Sequence, residues 1–344
     1  MQQRILTEGP LHRLDGALSE TGYATSLMKA YDRGRIKAPR WRIKEWDYYL
    51  VCGEGFALAL TIADNGYLGL DSVSLLDFDK GLQWTKTFIS PFPMGKRELP
   101  ASSAGGATRS QGKSHAINFV SSPGKRDLYG HVYDMEGKGG QLLFDLTLLS
   151  PRQDSMVIVT PFRESRRCFY YNQKINCLPA EGRVIFGDRD YLFSPATAFG
   201  VLDWGRGVWP YSNTWYWGSA SGLVQGRAFG FNIGHGFGDT SAASENMLFY
   251  GGIAHKLEQV SFEVPRSNGR EDYLAPWQVQ DAAGRLSLSF EPILDRSANL
   301  NALLLASRQH QVFGRFSGKA VLDDGQVLAI NGLMGFLEKV SNRW

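Results

Sequence analysis

Short apolar segments that end in turn sequences recur along this chain, and they limit its fold more than any other feature of the sequence. Residues 56–63 (FALALTIA) are followed by the turn sequence DNG, and residues 142–149 (LLFDLTLL) are followed by Ser-Pro. Near the end of the chain, residues 319–322 and 326–330 flank the turn sequence DDG. Apolar runs of this length between turn residues are typical of β-strands. Their spacing predicts an all-β protein built as a sandwich or as barrels.

The amino-acid composition also favours strands over helices. The 344 residues include 39 glycines, 20 phenylalanines, 14 tyrosines and nine tryptophans. Glycine has a poor helix propensity, and aromatic side chains are enriched in strands. Residues 297–309 fit a helix that begins at Ser297, and they fit a strand equally well.

Chain length predicts two domains, since one domain takes roughly 150 residues. We expect residues 1–40 to form an N-terminal arm with at most one short helix, residues 41–165 to form the first domain and residues 166–344 the second. The boundary is placed where an apolar run meets the charged sequence RESRR. Residues 91–125, rich in glycine, serine and proline, are expected to form a long loop in the first domain that could act as a flap.

Charge and cysteine content exclude several classes of protein. Lysine and arginine total 37 against 34 acidic residues, a formal net charge of +3, which is too small to predict a nucleic-acid partner. Cys52, Cys168 and Cys177 form no C-x-x-C pair and suit a reducing compartment. No apolar stretch approaches the roughly 18 residues of a membrane span, and from the polar residues 1–12 we expect no signal peptide. We therefore expect a cytoplasmic protein that at most touches a membrane transiently.

The sequence contains no recognisable cofactor or metal motif. Its six histidines form neither H-x-H nor H-E-x-x-H, which are common spacings of zinc ligands. The glycine-dense segment 226–238 lacks the strand–helix context of a dinucleotide site. We therefore expect no cofactor and no metal site. Nothing in the sequence points to a particular oligomeric state.

One segment of the chain concentrates aromatic residues. Residues 199–219 (FGVLDWGRGVWPYSNTWYWGS) contain four of the nine tryptophans, Trp204, Trp209, Trp215 and Trp217. Because side chains alternate along a strand, Trp215 and Trp217 share one face and Tyr216 lies on the other. An aromatic wall suits an apolar or unsaturated ligand, and its rings can stabilise a carbocation. The four tryptophans and Tyr211 are therefore candidate ligand-binding residues, and a filled aromatic core is the alternative.

Two charged residues interrupt this aromatic segment. Asp203 and Arg206 are close enough in sequence to pair, and an arginine fork holds a carboxylate in a fixed geometry. Asp203 is therefore a candidate general acid, and Arg206 is a candidate ligand-binding residue. A buried structural ion pair explains the same pattern equally well.

Two other carboxyl groups are candidate acids. Glu245 precedes an apolar strand together with Asn246, so the two could present an acid and an amide to a pocket, or they could form a strand-entry turn. Glu338 lies in a C-terminal strand, where an inward-facing carboxyl would have a raised pKa and could donate a proton. An outward-facing one would have no such role. His235, in the sequence GHGFGD, is the histidine best suited to acid–base work, with a plain loop histidine as the alternative.

Several motifs of the chain resemble those of one bacterial family. They are residues 46–49 (WDYY), 178–182 (LPAEG), 202–211 (LDWGRGVWPY), 310–314 (HQVFG) and 335–338 (GFLE). On these motifs, which run from about residue 40 to the end, the chain resembles the family called domain of unknown function 2804. The family has no established activity to carry over.

A more distant resemblance links the chain to proteins with paired lipocalin-like barrels, namely carotenoid hydratases, tocopherol cyclases and some fungal cyclases. It rests on the Trp215-x-Trp217 segment and on the closing sequence GFLE. The resemblance implies that residues 41–165 and 166–344 form two lipocalin-like antiparallel β-barrels of the calycin type, packed in tandem around an elongated apolar pocket. No catalytic residue is transferred, because no catalytic position aligns.

Three functions fit these observations. The first is the binding of a hydrophobic small molecule, such as an isoprenoid, a polyene or a fatty acyl lipid, in an aromatic-lined barrel pocket. The second is an enzyme that protonates an alkene of such a lipid for hydration, isomerisation or cyclisation, with Asp203, Glu245 or Glu338 as the acid. The third is carbohydrate binding, since tryptophan faces also stack on sugars. A convergent carboxyl in dry surroundings would favour the enzyme, and an open aromatic strip would favour the sugar binder.

Overall fold

The computed structural model describes residues 2–135, 140–302 and 305–343. Over these residues the chain is mostly antiparallel β-structure, arranged as two curled, lipocalin-like sheets in tandem. This architecture confirms the all-β fold class expected from the sequence. Within the same ranges, no helix has the length and hydropathy needed to cross a membrane.

The N-terminal arm packs onto the first sheet. It contains the strands β1 (Gly9–Pro10), β2 (Gly22–Ala24) and β3 (Lys29–Ala30) and the 3-10 helices Arg33–Arg35 and Arg40–Arg42. Strand β1 pairs with β3, and β2 adds to the edge of the first sheet. Ile5 and Leu11 of the arm are buried. The short helix expected here is therefore limited to two 3-10 turns.

The first sheet follows directly after the arm. Its strands are β4 (Ile43–Cys52), β5 (Phe56–Asp64), β6 (Leu68–Asp77), β7 (Leu82–Pro91), β8 (Gly106–Gln111), β9 (His115–Ser122), β10 (Lys125–Val132), β11 (Leu142–Leu149), β12 (Met156–Phe162), β13 (Ser165–Phe186), β14 (Arg189–Phe193) and β15 (Phe199–Val208). They pair in the order β7-β6-β5-β4-β15-β13-β11-β10-β9-β8, with β12 and β14 also paired to β13.

The second sheet takes up the rest of the chain. Its strands are β16 (Ser212–Val224), β17 (Arg227–His235), β18 (Met247–Tyr250), β19 (Ile253–Lys256), β20 (Val260–Ser261), β23 (Trp277–Asp281), β24 (Leu286–Ala302), β25 (Leu305–Val321) and β26 (Val327–Arg343). Between β20 and β23, the strands β21 (Arg266–Ser267) and β22 (Arg270–Glu271) form a separate hairpin. They pair in the order β19-β18-β17-β16-β26-β25-β24-β23-β20.

The passage from one sheet to the other lies later in the chain than the expected domain boundary. The boundary expected after residue 165 falls at the start of β13, which belongs to the first sheet together with β15. Strand β13 is 22 residues long and pairs with β12 and β15 in its first half and with β11 and β14 in its second. Residues 163 and 164 of the charged sequence RESRR thus form a hairpin turn inside the first sheet, and its last three residues begin β13. The chain leaves this sheet between Val208 and Ser212.

Two further segments were left open or misjudged by the sequence. Residues 297–302 and 305–309 belong to β24 and β25, so the strand alternative holds for them, and residues 303 and 304 lie outside the described residues. Of the loop expected over residues 91–125, only 92–105 is irregular, because β8 and β9 form a hairpin in the remainder. Burial alternates along the first part of β9, which is the pattern of a strand packed on one side.

Each sheet curls around an interior of its own, and the outer faces of the two sheets pack together. On β4, Tyr49 faces the first interior, where its ring lies 4.9 Å from that of Phe119 on β9. The neighbouring Tyr48 faces the other way, and its ring lies 5.8 Å from that of Trp217 on the second sheet. The alternation of side chains along one strand thus separates the core of the first sheet from the contact between the sheets.

A buried ion pair connects β15, β4 and the loop 92–105. The Arg206 guanidinium is fully buried and lies 3.1 Å from Oδ1 of Asp47. It also donates hydrogen bonds to the backbone carbonyls of Trp46 at 2.7 Å and Pro100 at 2.8 Å. The expected pairing of Arg206 with Asp203 is therefore replaced by a pair with Asp47, because residues 203 and 206 of a strand point to opposite faces.

Replacing Arg206 with methionine should lower the free energy of unfolding by about 3–5 kcal/mol, because Asp47 would remain buried without its cation. Urea denaturation followed by tryptophan fluorescence measures this loss. The exposed pair of Arg163 with Asp239 provides the matched control, since Arg163→Met should leave the midpoint essentially unchanged. Equal losses in the two variants would contradict the role of Arg206.

Candidate functional site

A cavity of about 520 Å³ lies between the facing sides of the two sheets. Both sheets supply its walls, so the pocket lies between the two curled sheets and not inside one of them. Part of its wall is aromatic and consists of Trp46, Tyr48, Tyr170, Trp209, Trp215, Trp217 and Phe237. The ring of Trp215 lies 4.9 Å from that of Trp209 and 5.7 Å from that of Phe237, so the rings form a continuous surface.

A row of cross-strand partners on the first sheet lines the cavity. The row contains one residue from each of six neighbouring strands: Lys174 on β13, Asp203 on β15, Tyr48 on β4, Thr61 on β5, Ser72 on β6 and Thr87 on β7. Directly opposed residues of antiparallel strands present neighbouring side chains on the same face. The strand register therefore joins a charged pair to a strip of hydroxyl groups.

A second row faces the first from the other sheet. The row contains Arg296 on β24, Gln311 on β25, Glu338 on β26 and Trp217 on β16. The Tyr48 hydroxyl donates a hydrogen bond to Gln311 Oε1 at 3.3 Å, which joins the two rows. A cation, an amide, a carboxyl group and an indole thus follow one another along one side of the cavity.

Glu338 is the buried acid of this second row, and its side chain is only 4% exposed. The indole of Trp215 donates a hydrogen bond to its Oε1 at 3.2 Å, and Gln309 Nε2 donates to its Oε2 at 3.0 Å. Burial raises the pKa of the Glu338 carboxyl, and the two hydrogen bonds and the charge of Arg296 oppose this effect only in part. Glu338 therefore keeps its proton to a higher pH than an exposed glutamate does.

Lys174 carries a positive charge into the other side of the site. Its Nζ lies 3.3 Å from Glu245 Oε2, 3.0 Å from the Tyr170 hydroxyl and 3.9 Å from Asp203 Oδ1. It also lies 4.6 Å from the ring centroid of Trp217. The side chain is 1% exposed. Two carboxyl groups and the surrounding rings thus balance a buried ammonium group at the cavity wall.

Asp203 is held by two neutral donors. The Trp46 indole donates to its Oδ2 at 3.1 Å, and Asn172 Nδ2 donates to its Oδ1 at 2.5 Å. The close approach of Trp46 requires Gly205, because a Cβ at that position would lie 2.0 Å from the indole ring. Glycine in the sequence DWGRG thus lets the indole reach the carboxyl group.

Glu245 lies behind Lys174, away from the centre of the cavity. It is 3% exposed, and burial raises the pKa of its carboxyl group. Among the described residues, no hydrogen-bond partner reaches its Oε1. Gly234 makes room for this oxygen, since a Cβ there would lie 2.0 Å from it. Glu245 therefore serves as the buried counter-ion of Lys174.

Two of the expected ligand-binding residues face away from the cavity. Trp204 and Arg206 lie on the opposite face of β15 from Asp203. The ring of Trp204 packs against Tyr31 at 6.2 Å and Tyr171 at 5.5 Å, and the Arg206 guanidinium lies 4.2 Å over the Trp204 ring. Both residues stabilise the interior of the first sheet.

Three other candidates also lie outside the cavity wall. Tyr211 is 50% exposed in the link between the sheets. The ring of His235 stacks on Tyr216 at 4.5 Å, on the face of β16 opposite Trp217, and burial lowers the pKa of its imidazole. The amide of Asn246 accepts a hydrogen bond from Gly234 N at 2.7 Å and donates to the carbonyl of Glu258 at 3.0 Å, so it fixes the backbone near Glu245.

Among the cavity residues that the sequence did not reveal are Lys174, Tyr48, Arg296 and Gln311. A signal existed for Lys174, because the polar sequence NQKIN interrupts an otherwise apolar strand, and buried polar groups require partners. Tyr48 and Gln311 lie inside two of the family motifs, WDYY and HQVFG. Arg296 follows from the register of the β24–β25 hairpin, which no local pattern reveals.

Comparison with known proteins places the chain in a family. Residues 2–344 match the Domain of unknown function (DUF2804) family, so the chain belongs to it and the expected resemblance is confirmed. A search of the curated proteins finds no match.

Solved structures share the fold at low sequence identity. An AttH-type protein from Nitrosomonas europaea covers 92% of this chain and 98% of its own, with a TM-score of 0.52 and 15% identity. Kievitone hydratase from Nectria haematococca covers 88% of each chain, with a TM-score of 0.52 and 12% identity. At sequence identities this low, the structural similarity establishes a shared architecture and nothing more.

Replacing Glu338 with glutamine should stabilise the protein progressively as the pH rises. An unfolded glutamate loses its proton near pH 4.3, at about its ordinary pKa, whereas the buried carboxyl of Glu338 keeps its proton to a higher pH. Between these two pKa values the Glu338 carboxyl binds more protons in the folded protein than in the unfolded chain, so the contribution of this group to the free energy of unfolding falls with rising pH. Glutamine has no carboxyl group and therefore lacks this pH-dependent loss of stability. Its side-chain oxygen can still accept the hydrogen bond from the Trp215 indole, and its amide nitrogen can donate to the oxygen of a rotated Gln309 amide.

Thermal unfolding midpoints of both proteins from pH 4 to pH 8 measure this difference. The midpoint of the variant should rise relative to that of the wild type across this range. Glu291 lies exposed on β24, so Glu291→Gln should follow the wild-type profile. A difference between Glu338→Gln and the wild type that does not change with pH would contradict the buried, proton-holding carboxyl.

Proposed function

We propose that the cavity binds a hydrophobic, unsaturated small molecule and that Glu338 protonates one of its alkene carbons, in a hydration, an isomerisation or a cyclisation. The observation that carries the proposal is a buried carboxyl group with a raised pKa on the wall of an aromatic cavity. A protein that only stores a ligand gains nothing from such a group, because burying an acid costs free energy.

The first step of the proposed reaction transfers the Glu338 proton. The alkene π electrons form a new C–H bond to one carbon as the O–H bond of Glu338 breaks, and the other carbon becomes a cation. The faces of Trp215 and Trp217 attract this charge. In a hydration, water adds to the cation through its oxygen and one of the water protons returns to the Glu338 carboxylate. Loss of a neighbouring C–H proton to Glu338 gives an isomerisation, and attack by a second double bond followed by loss of a C–H proton to Glu338 gives a cyclisation.

Asp203 and Lys174 serve a different purpose in this proposal. Asp203 accepts two hydrogen bonds, and its Oδ1 lies 3.9 Å from Nζ of Lys174. It lies on the sheet that faces Glu338 across the cavity, where a carboxylate stabilises a developing cation.

The fold is compatible with this chemistry. A protein named as a hydratase, kievitone hydratase, has the same two-sheet architecture at 12% identity. The proposed reaction rests on the Glu338 site of this chain. Kievitone hydratase supports only the statement that a protein of this architecture can carry out a hydration.

Ligand storage without chemistry is the second candidate function. The aromatic wall of Trp209, Trp215 and Trp217 favours it, since flat apolar surfaces bind lipids without any acid. Carbohydrate binding fits less well, because Trp209 and Trp217 are 3% and 4% exposed and form no open strip for a sugar.

Isotope-labelled water tests the proposed reaction. Purified protein is incubated with prenylated phenols, isoprenoid alcohols and unsaturated fatty acids in ¹⁸O-labelled water and, separately, in D₂O. Hydration should add the mass of one labelled water, and isomerisation or cyclisation should place deuterium at the protonated carbon. Glu338→Gln should lower turnover at least about 100-fold while quenching of tryptophan fluorescence by the same compound stays nearly unchanged.

Glu291→Gln provides the control and should turn over substrate at the wild-type rate. Wild-type turnover by Glu338→Gln would exclude Glu338 as the proton donor. Binding of a compound that emerges unlabelled from both waters would support storage instead of catalysis.

A further inference from the structure

We infer that Gln311 forms a binding site for an oxygen atom of the ligand, so that the natural ligand is an oxygenated molecule with a carbonyl or hydroxyl group and not a hydrocarbon. The inference refines the substrate class of the function proposed above and rests on that function for the identity of the cavity as the binding site.

The main observation is an unused hydrogen-bond donor in the cavity wall. Gln311 is 0% exposed and lines the cavity. Its Oε1 accepts from the Tyr48 hydroxyl at 3.3 Å, but no acceptor among the described residues lies within hydrogen-bond distance of its Nε2. A buried amide donor without an acceptor is costly, and buried polar groups in proteins nearly always have partners. An acceptor atom of a ligand would supply the missing partner.

The neighbours of Gln311 indicate what kind of acceptor fits. Arg296 lies opposite Gln311 on one side, and Glu338 lies opposite it on the other. Arg296 donates to Ser74 Oγ at 3.0 Å and brings its positive charge to the same wall. A carbonyl or hydroxyl oxygen accepts from the amide and is stabilised by the nearby cation.

The position of Gln311 also relates the ligand oxygen to the reacting carbon. Side chains on directly opposed strand positions start about 5 Å apart, so an oxygen bound at Gln311 lies only a few bonds from a carbon in reach of Glu338. The apolar remainder of the ligand meets the aromatic wall and the side chains of Leu68, Leu70 and Ile89. The ligand class is therefore an alkene with a carbonyl or hydroxyl group a few bonds from the double bond.

Two unreactive probes of similar shape test the inference. 2-Acetylnaphthalene carries a carbonyl oxygen where 2-isopropylnaphthalene carries a methyl group, and the cavity of about 520 Å³ has room for either. Equilibrium dialysis of each probe with the full chain should show about tenfold tighter binding of the ketone, the size expected for one hydrogen bond to a buried donor. In Gln311→Met, which keeps the side-chain volume but removes the amide, the preference for the ketone should be lost, because its carbonyl would give up hydrogen bonds to water without a replacement.

A second glutamine of the cavity wall supplies the matched control. Gln83 Nε2 already donates to the backbone carbonyl of Asp295 at 3.5 Å, so Gln83→Met should retain the preference for the ketone. Equal binding of the two probes by the wild-type protein would overturn the inference, and so would failure of the ketone to bind. An unchanged preference in Gln311→Met would also overturn it. If that variant fails to fold, the wild-type ratio decides alone.

The probe measurement is independent of turnover, so the inference and the proposed function fail separately. Glu338→Gln should keep the preference for the ketone, because it leaves Gln311 in place. A ketone preference in a protein that turns over no alkene would leave the oxygen site standing and remove the proposed reaction. Alkene turnover by a wild-type protein that shows no preference for the ketone would support the proposed reaction and overturn the oxygen site.

Discussion

Strand β15 is buried on both faces along its whole length, and the rest of the structure depends on how its two charged side chains are satisfied. Arg206 points into the first sheet and uses Asp47 and backbone carbonyls as partners. Asp203 points to the cavity and accepts from Trp46 and Asn172. Because an unpaired charge cannot be buried at tolerable cost, these partners fix the neighbours of β15. The same five-residue sequence, DWGRG, thus stabilises the first sheet and supplies an acid to the site.

The chemistry of the site is a consequence of the contact between the sheets. Neither row of side chains is enclosed by its own sheet, since both lie on outer faces. Packing of the two sheets withdraws Glu338 from water, and this desolvation raises the pKa of its carboxyl group. The same packing brings Tyr48 to Gln311 and leaves Nε2 of this cavity-lining amide without an acceptor among the described residues. Two sheets held apart would keep their own rows of side chains, but they would lose the pocket and the burial of Glu338.

The limits of sequence analysis follow from the same geometry. The strand patterns predicted an all-β fold, and alternation placed Trp215 and Trp217 on one face, as both are found in the cavity wall. The boundary expected after residue 165 differs from the passage between the sheets after Val208, because the charged turn between β12 and β13 resembles a linker. Arg206 was paired with Asp203 by proximity in sequence, although the alternation of a strand sends the two side chains to opposite faces. Residues 297–309 were ambiguous because the spacing of their polar and apolar residues fits both a helix and a strand.

The sequence by itself determined that the chain is built of strands, which side chains share a face where a strand forms, and which polar residues interrupt apolar runs. These properties are local, since alternation and turn formation depend on neighbouring residues. Only the tertiary structure decided that Lys174 lies beside Asp203, and that Arg296, Gln311 and Glu338 form one row. Those neighbours are set by strand order and register, which depend on how whole sheets bury their faces against each other.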